Sequence, residues 1–128
     1  MMDGSLTLKL LAKTYAVCSL KKDDEIPVWS MIGDFLSITR TEDELSIVCE
    51  EKHVPQGMIY EGGWKILKVE GPLDFSLIGI LAKISALMSK NNISIFVIST
   101  YDTDYILIKE GNINRAIEIL KNENYNII

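Results

Sequence analysis

Two short stretches in the second half of the chain gather turn formers, hydroxyls and carboxylates. The first is Gly71, Leu73, Asp74, Phe75 and Ser76, set around a Gly-Pro turn; the second is Ile98, Ser99, Thr100, Tyr101 and Asp104. An amino acid presents a carboxylate, an ammonium and a side chain. A helix starting near Asp74 would turn unpaired backbone N–H groups toward a carboxylate. The Gly71-Pro72 turn lets the backbone approach closely and aims the chain into that helix. An acidic side chain, Asp74 or Asp104 with Asp102 behind them, would meet the ammonium through charge-assisted hydrogen bonds. If Asp104 met the ligand side chain instead, a basic amino acid would be favoured.

Each of these residues also has a duller use. Asp is a preferred helix cap, which would account for Asp74. Asp102 and Asp104 suit a turn between strands, and Ser99 and Thr100 can satisfy backbone groups where a strand ends. Tyr101 can pack at an interface between modules, and Trp29 and Trp64 read as packing anchors.

A catalytic apparatus is not expected. Nucleophilic catalysis needs a base beside its nucleophile, and the single histidine, His53, stands in a loop-rich section with no such partner adjacent in sequence. Arg40 and Arg115 are the only arginines and neither lies in a glycine-rich anion cradle. Cys18 and Cys49 sit in separate apolar runs without CxxC spacing, and with one histidine they supply too few ligands for a metal. They are expected as buried, reduced thiols. No cofactor is implied.

The elements that must position the two clusters follow from the pattern. Trp64–Glu70 reads as a strand. From Asp74 the period changes, with Leu77, Leu81, Ile84 and Met88 forming a helical stripe that Ile80 and Leu87 widen. Asn91-Asn92 suits a left-handed helix end. Ile93–Ser99 is a central strand, Tyr105–Ile108 pairs back on it, and Asn112 caps a last helix striped by Ile113, Ala116, Ile117 and Leu120. Asn126–Ile128 closes as a short strand, so the second half reads β-α-β-β-α-β.

The first half gives a weaker version of that order. Leu6–Leu11 is an edge-strand candidate, Tyr15–Leu20 a firmer strand, and Ile26–Met31 one or two helical turns led by Pro27 and stopped at Gly33. Phe35–Arg40 and Leu45–Cys49 flank Thr41–Glu44 as a hairpin. Glu50–Gly63 is rich in loop signals, with a helical turn near His53–Gln56, and is the natural boundary. The expected fold class is α+β, with two modules at 1–62 and 63–128 and the first abbreviated.

Composition restricts the partners. Hydrophobic residues make up 48% and charged ones 24%, an ordinary globular balance, and the net charge is −5. An acidic chain with one adjacent basic pair, Lys21-Lys22, is unsuited to nucleic acid or to anionic membranes. No apolar run approaches the roughly 20 residues of a membrane span, and no signal peptide is visible. A cytoplasmic protein is expected.

The segments Trp64–Leu77 and Ile93–Tyr105 resemble the first strand, ligand loop, helix start, second strand and turn of an ACT domain. Tyr15–Cys18, Phe35–Thr41 and Glu44–Cys49 are similar to the first half of small stand-alone bacterial proteins with two tandem ACT modules. Such proteins resemble the modules of cytosolic arginine sensors and the regulatory domains of aspartate kinases, and the likeness covers about residues 6–122. The resemblance implies two ferredoxin-like modules with antiparallel sheets and helices on one face. It also implies an amino-acid site at an interface between modules, lined by the two clusters above, in a non-catalytic regulatory homodimer acting on a protein partner. The competing reading is a structural, oligomerising subunit whose site is degenerate and empty.

Overall fold

Strand pairing gathers the chain into two units, seen in a computed structural model that describes residues 6–70 and 79–128. One unit is Lys13–Trp64; the other joins the described residues up to Ala12 with Lys65–Ile128. The strands are β1 (Thr7–Leu10), β2 (Tyr15–Leu20), β3 (Ser37–Arg40), β4 (Leu45–Glu50), β5 (Ile59–Val69), β6 (Phe96–Ser99), β7 (Asp104–Lys109) and β8 (Asn126–Ile127). The helices are α1 (Ile80–Lys90) and α2 (Glu110–Asn122).

From β5 to β8 the order is βαββαβ, the ferredoxin-like plan expected. Within that unit the strands lie β6-β7-β5-β1-β8. One pairing departs from an antiparallel sheet. β1 inserts beside β5, antiparallel to it through Leu8↔Val69 and Leu10↔Leu67, and runs parallel to β8 through Thr7↔Asn126 and Leu8↔Ile127. The βαββαβ path brings β8 back opposite in direction to β5. A strand antiparallel to β5 must therefore be parallel to β8.

The core lies on one face of this sheet. Period-two positions Leu67 and Val69, Ile106 and Ile108, with Leu8, meet Ile84 and Met88 of α1 and Ile113, Ala116 and Leu120 of α2. Ile84 and Met88 are wholly shielded from water, each contributing on the order of 1.5–3 kcal/mol in apolar transfer. The expected stripes are present, with Ile80, Leu81, Leu87 and Ile117 packed partly buried at their margins. Leu77 lies outside the described residues.

Both helices end alike. Asn92 and Asn124 adopt left-handed backbones (φ 59° and 70°). The N–H of Ile93 bonds Met88 O at 2.9 Å and that of Tyr125 bonds Leu120 O at 3.0 Å. These are Schellman closures, with Asn in place of the usual glycine. The starts differ from expectation. Lys109, not Asn112, holds the cap position of α2, because β7 passes into the helix without a loop and Glu110 supplies the first-turn negative charge. Gly79, in a left-handed conformation (φ 84°), occupies the cap position of α1, which spans Ile80–Lys90; the start expected near Asp74 lies outside the described residues.

In the Lys13–Trp64 unit the strand order is β3-β4-β2-β5. The β3–β4 hairpin forms as expected, its loop fixed by the Thr41 hydroxyl accepting from the N–H groups of Asp43 and Glu44 at 3.1 and 3.2 Å. A single 3₁₀ turn, Val28–Met31, stands where a full module would have a helix, and Ser30 is buried there with its hydroxyl on Pro27 O at 2.6 Å. A second 3₁₀ turn spans Glu51–His53, slightly ahead of the expected one.

The largest correction concerns Glu50–Gly63. Residues 59–63 are not loop but the start of β5. The Gly62-Gly63 pair is a bulge: Tyr15 opposes Trp64 while Val17 opposes Glu61, so β5 carries one extra residue. Gly63 has φ 76° there, which glycine adopts without strain.

Candidate functional site

Ser99 and Asp104 form the last pair of the β6–β7 ladder, and Thr100–Thr103 make the turn between them. The turn is closed by its own groups. Thr100 N–H donates to Thr103 O at 2.8 Å, the Thr100 hydroxyl donates to the same oxygen at 3.0 Å, and that hydroxyl accepts from Thr103 N–H at 3.3 Å. Across the pair the Ser99 hydroxyl donates to Asp104 Oδ1 at 2.5 Å. Thr100 thus satisfies backbone groups at the strand end as expected, whereas the Ser99 hydroxyl goes to the Asp104 carboxylate and not to the backbone.

Sequence reasoning passed over the residue that holds this turn in place. Thr103 is 4% exposed, and its hydroxyl donates to Val69 O at 2.5 Å. Val69 is the last residue of β5, and Glu70 N–H continues the ladder by bonding Thr7 O at 2.9 Å. The turn is therefore bolted to the end of the strand that leads into the Gly71–Ser76 segment. A β-branched Thr between two Asp in a turn reads locally as strand resumption. Its partner lies 34 residues away in sequence, which no local pattern can reveal.

Of the second cluster, Ser99, Thr100 and Tyr101 are exposed, Tyr101 at 87%, while Ile98 and Asp104 are half-buried. Asp104 keeps Oδ2 outside the Ser99 bond, at a strand end that also carries the Ser99 and Thr100 hydroxyls. That arrangement can accept hydrogen bonds from an ammonium or a guanidinium. Gly71, Leu73, Asp74, Phe75 and Ser76 lie outside the described residues.

A second polar group, unforeseen, sits in the other unit. Glu50 is 4% exposed, and its carboxylate lies 3.6 Å from His53 Nε2. Gly33 makes room for it: a Cβ there would fall 2.0 Å from Glu50 Oε2. Burial, then Glu50 and Asp34, push the Tyr15 hydroxyl above its usual range. The i, i+3 spacing of Glu50 and His53 was the available signal. Neighbouring Glu51 accepts from Gly63 N–H at 2.7 Å and so braces the bulge of β5.

Cys18 and Cys49 are buried free thiols on adjacent strands, hydrogen-bonded to each other. That bond and burial push the Cys49 thiol up. Among the described residues no three His, Cys, Asp or Glu side chains group as metal ligands do, and no helix is long and apolar enough to cross a membrane.

A family model described as ACT domain matches residues 59–122, half of the chain. The chain belongs to the ACT domain family. A second model, of an N-terminal domain, covers residues 13–57. The human cytosolic arginine sensor for mTORC1 subunit 1 is 30% identical over 95 residues, covering 68% of this chain and 29% of the sensor. The aligned part thus spans under a third of that curated relative. Among solved structures, an Agrobacterium tumefaciens protein shares 36% identity at a TM-score of 0.92, covering 98% of this chain and 94% of its own. Aspartate kinase of Clostridium acetobutylicum shares the ACT fold at a TM-score of 0.68 and 13% identity, over 93% of this chain and 35% of the kinase. The ACT match begins at Ile59, the first residue of β5.

Proposed function

We propose that this protein is a non-catalytic regulatory module that binds an amino acid at the end of β6 and β7. The Thr103–Val69 bond supports this reading most directly. It sets the Ser99–Asp104 turn beside the end of β5, where the chain enters the Gly71–Ser76 segment. Asp104 receives the ligand's ammonium or a cationic side chain. Ser99, Thr100, Tyr101 and Ile98 join it, and Gly71, Leu73, Asp74, Phe75 and Ser76 are assigned to the same site. Similarity to a protein named as an arginine sensor, and to a kinase described as allosteric, supports regulation over catalysis. Binding shifts an equilibrium between arrangements by the ligand's preference for one of them, and a protein partner reads the shift.

Thermal stability measured against the twenty amino acids at millimolar concentration tests this. A ligand at about 100 times its dissociation constant adds roughly 2.7 kcal/mol. The expected result is a shift with one chemical class, abolished in Asp104→Ala and kept in Glu118→Ala. No shift with any amino acid favours the structural-subunit reading. The internal bonding of Ser99, Thr100 and Asp104 already suits that alternative.

A further inference from the structure

The two thiols have no part in the candidate site, and the sheet places them as a pair. Cys18 of β2 stands opposite Ile47, and Cys49 of β4 stands opposite Ala16, so the cysteines are diagonal neighbours on adjacent antiparallel strands. Positions two apart along a strand share a face, which puts both side chains on the same side of the sheet. There they belong to one buried cluster with Ala16, Leu45 and Ile47, flanked by Leu20, Trp29 and Val54. Cys18 is 1% exposed and Cys49 0%.

A metal does not explain the pair. A structural site needs about four ligands, and among the described residues no three His, Cys, Asp or Glu side chains group together. Each sulfur is left with the other as its polar partner. The hydrogen bond between them has a direction: Cys49 donates and Cys18 accepts. That bond favours negative charge on the Cys18 sulfur and holds the Cys49 proton in place. The thiolate is the nucleophilic form, so the two cysteines are unequal although both are buried.

We propose that Cys18 and Cys49 form an intrachain disulfide when a small hydroperoxide such as hydrogen peroxide reaches them, linking β2 to β4. The Cys18 thiolate attacks the peroxide oxygen. An S–O bond forms, the O–O bond breaks, and the departing oxygen takes up the proton that Cys18 gave up. Cys18 is then a sulfenic acid. The Cys49 sulfur attacks the Cys18 sulfur, an S–S bond forms, the S–O bond breaks, and the oxygen leaves as water with the Cys49 proton. Two thiols lose two electrons and one peroxide gains them. Burial selects the oxidant. Sulfurs shielded to this degree exclude oxidised glutathione and bulky alkylating reagents, whereas hydrogen peroxide is close to water in size and enters through local openings of the sheet. Diagonal neighbours stand about 7–8 Å apart in a regular ladder and disulfides span about 4.4–6.8 Å. Closing the bridge therefore draws β2 and β4 together, and a bridge under such tension is of the labile, reducible kind. The device is independent of any ligand at the Ser99–Asp104 turn.

Hydrogen peroxide titration of the reduced full chain, with glutathione in the same solution as an internal reference, tests this. Thiols are counted in denaturant and peptides are mapped by mass spectrometry without reduction. The wild type is expected to lose both thiols together, with the Cys18 and Cys49 peptides joined within one chain, and dithiothreitol restores them. Cys49→Ala stops at the sulfenic acid, so dimedone labels Cys18. Cys18→Ala leaves Cys49 unmodified at the same dose. Thiols that survive after the glutathione is fully oxidised, a bridge found only between chains, or dimedone on Cys49 in Cys18→Ala overturns the proposal. The wild-type peptide map remains decisive if either variant fails to fold.

Discussion

Thr103→Val is the sharpest test of how the β6–β7 turn is held. The substitution keeps the β-branch and nearly the volume and removes only the hydroxyl that donates to Val69 O. The backbone groups of Thr103 that bond Thr100 are untouched. A typical intramolecular hydrogen bond contributes about 1 kcal/mol net, and a buried acceptor left unpaired costs about 1–3 kcal/mol. The added methyl recovers up to about 0.8 kcal/mol by transfer, since the site is 4% exposed. The net loss is then about 0.5–2 kcal/mol. For a chain of this size that lowers Tm by roughly 2–10 °C. Thr103→Ser reverses the exchange, keeping the hydroxyl and losing the methyl, and costs about 0.8 kcal/mol. Urea denaturation with a matched pair of variants reads both. A Val variant as stable as wild type, beside a weakened Ser variant, would mean that the methyl and not the hydroxyl anchors the turn.

Gly33→Ala places a Cβ 2.0 Å from Glu50 Oε2 on a backbone with φ 108°. It is expected to lower stability by more than about 1 kcal/mol, and urea unfolding that shows no loss would contradict the packing of Glu50 against this turn. Tyr15 titrates above its ordinary value of 10.0 in the folded state. Its contribution is complete below pH 10 and disappears as pH rises through the folded value. Tyr15→Phe should flatten the alkaline arm of a Tm-versus-pH curve, though Tyr125, likewise raised by burial and Glu123, retains part of the slope. Cys18 and Cys49 should resist alkylation in the native protein and react fully in denaturant, since both are buried. Fast native labelling by mass spectrometry would refute that burial.

What the sequence revealed and what it concealed divide along a physical line. Periodicity reports burial on one face, so the stripes of α1 and α2 and the apolar runs of β6 and β7 were legible from Ile84, Met88, Ile113, Ala116 and Leu120 alone. Pairing across distance is not periodic. Nothing in Thr7–Leu10 indicates that it will enter the sheet of residues 65–128 between β5 and β8, and yet Leu8 faces Val69 and Ile127. Glycine was ambiguous for a related reason. In Gly62-Gly63 its freedom serves a bulge inside a long strand, whereas the same pair between polar residues would end one. The candidate site shows both limits at once. Its surface residues announce themselves, because Ser99, Thr100, Tyr101 and Asp104 are polar groups where an apolar strand stops. Thr103, which fixes their position, reads as a strand resuming after the turn until Val69 is found beside it. A ligand held at this turn would act on β5 through that hydroxyl as well as through the β7–β5 ladder. Thr103→Val should therefore weaken the effect of any bound amino acid on the stability of the β5 amides, measured by hydrogen exchange, more than it weakens binding itself. Equal losses in both would leave Thr103 as a structural bolt with no part in transmission.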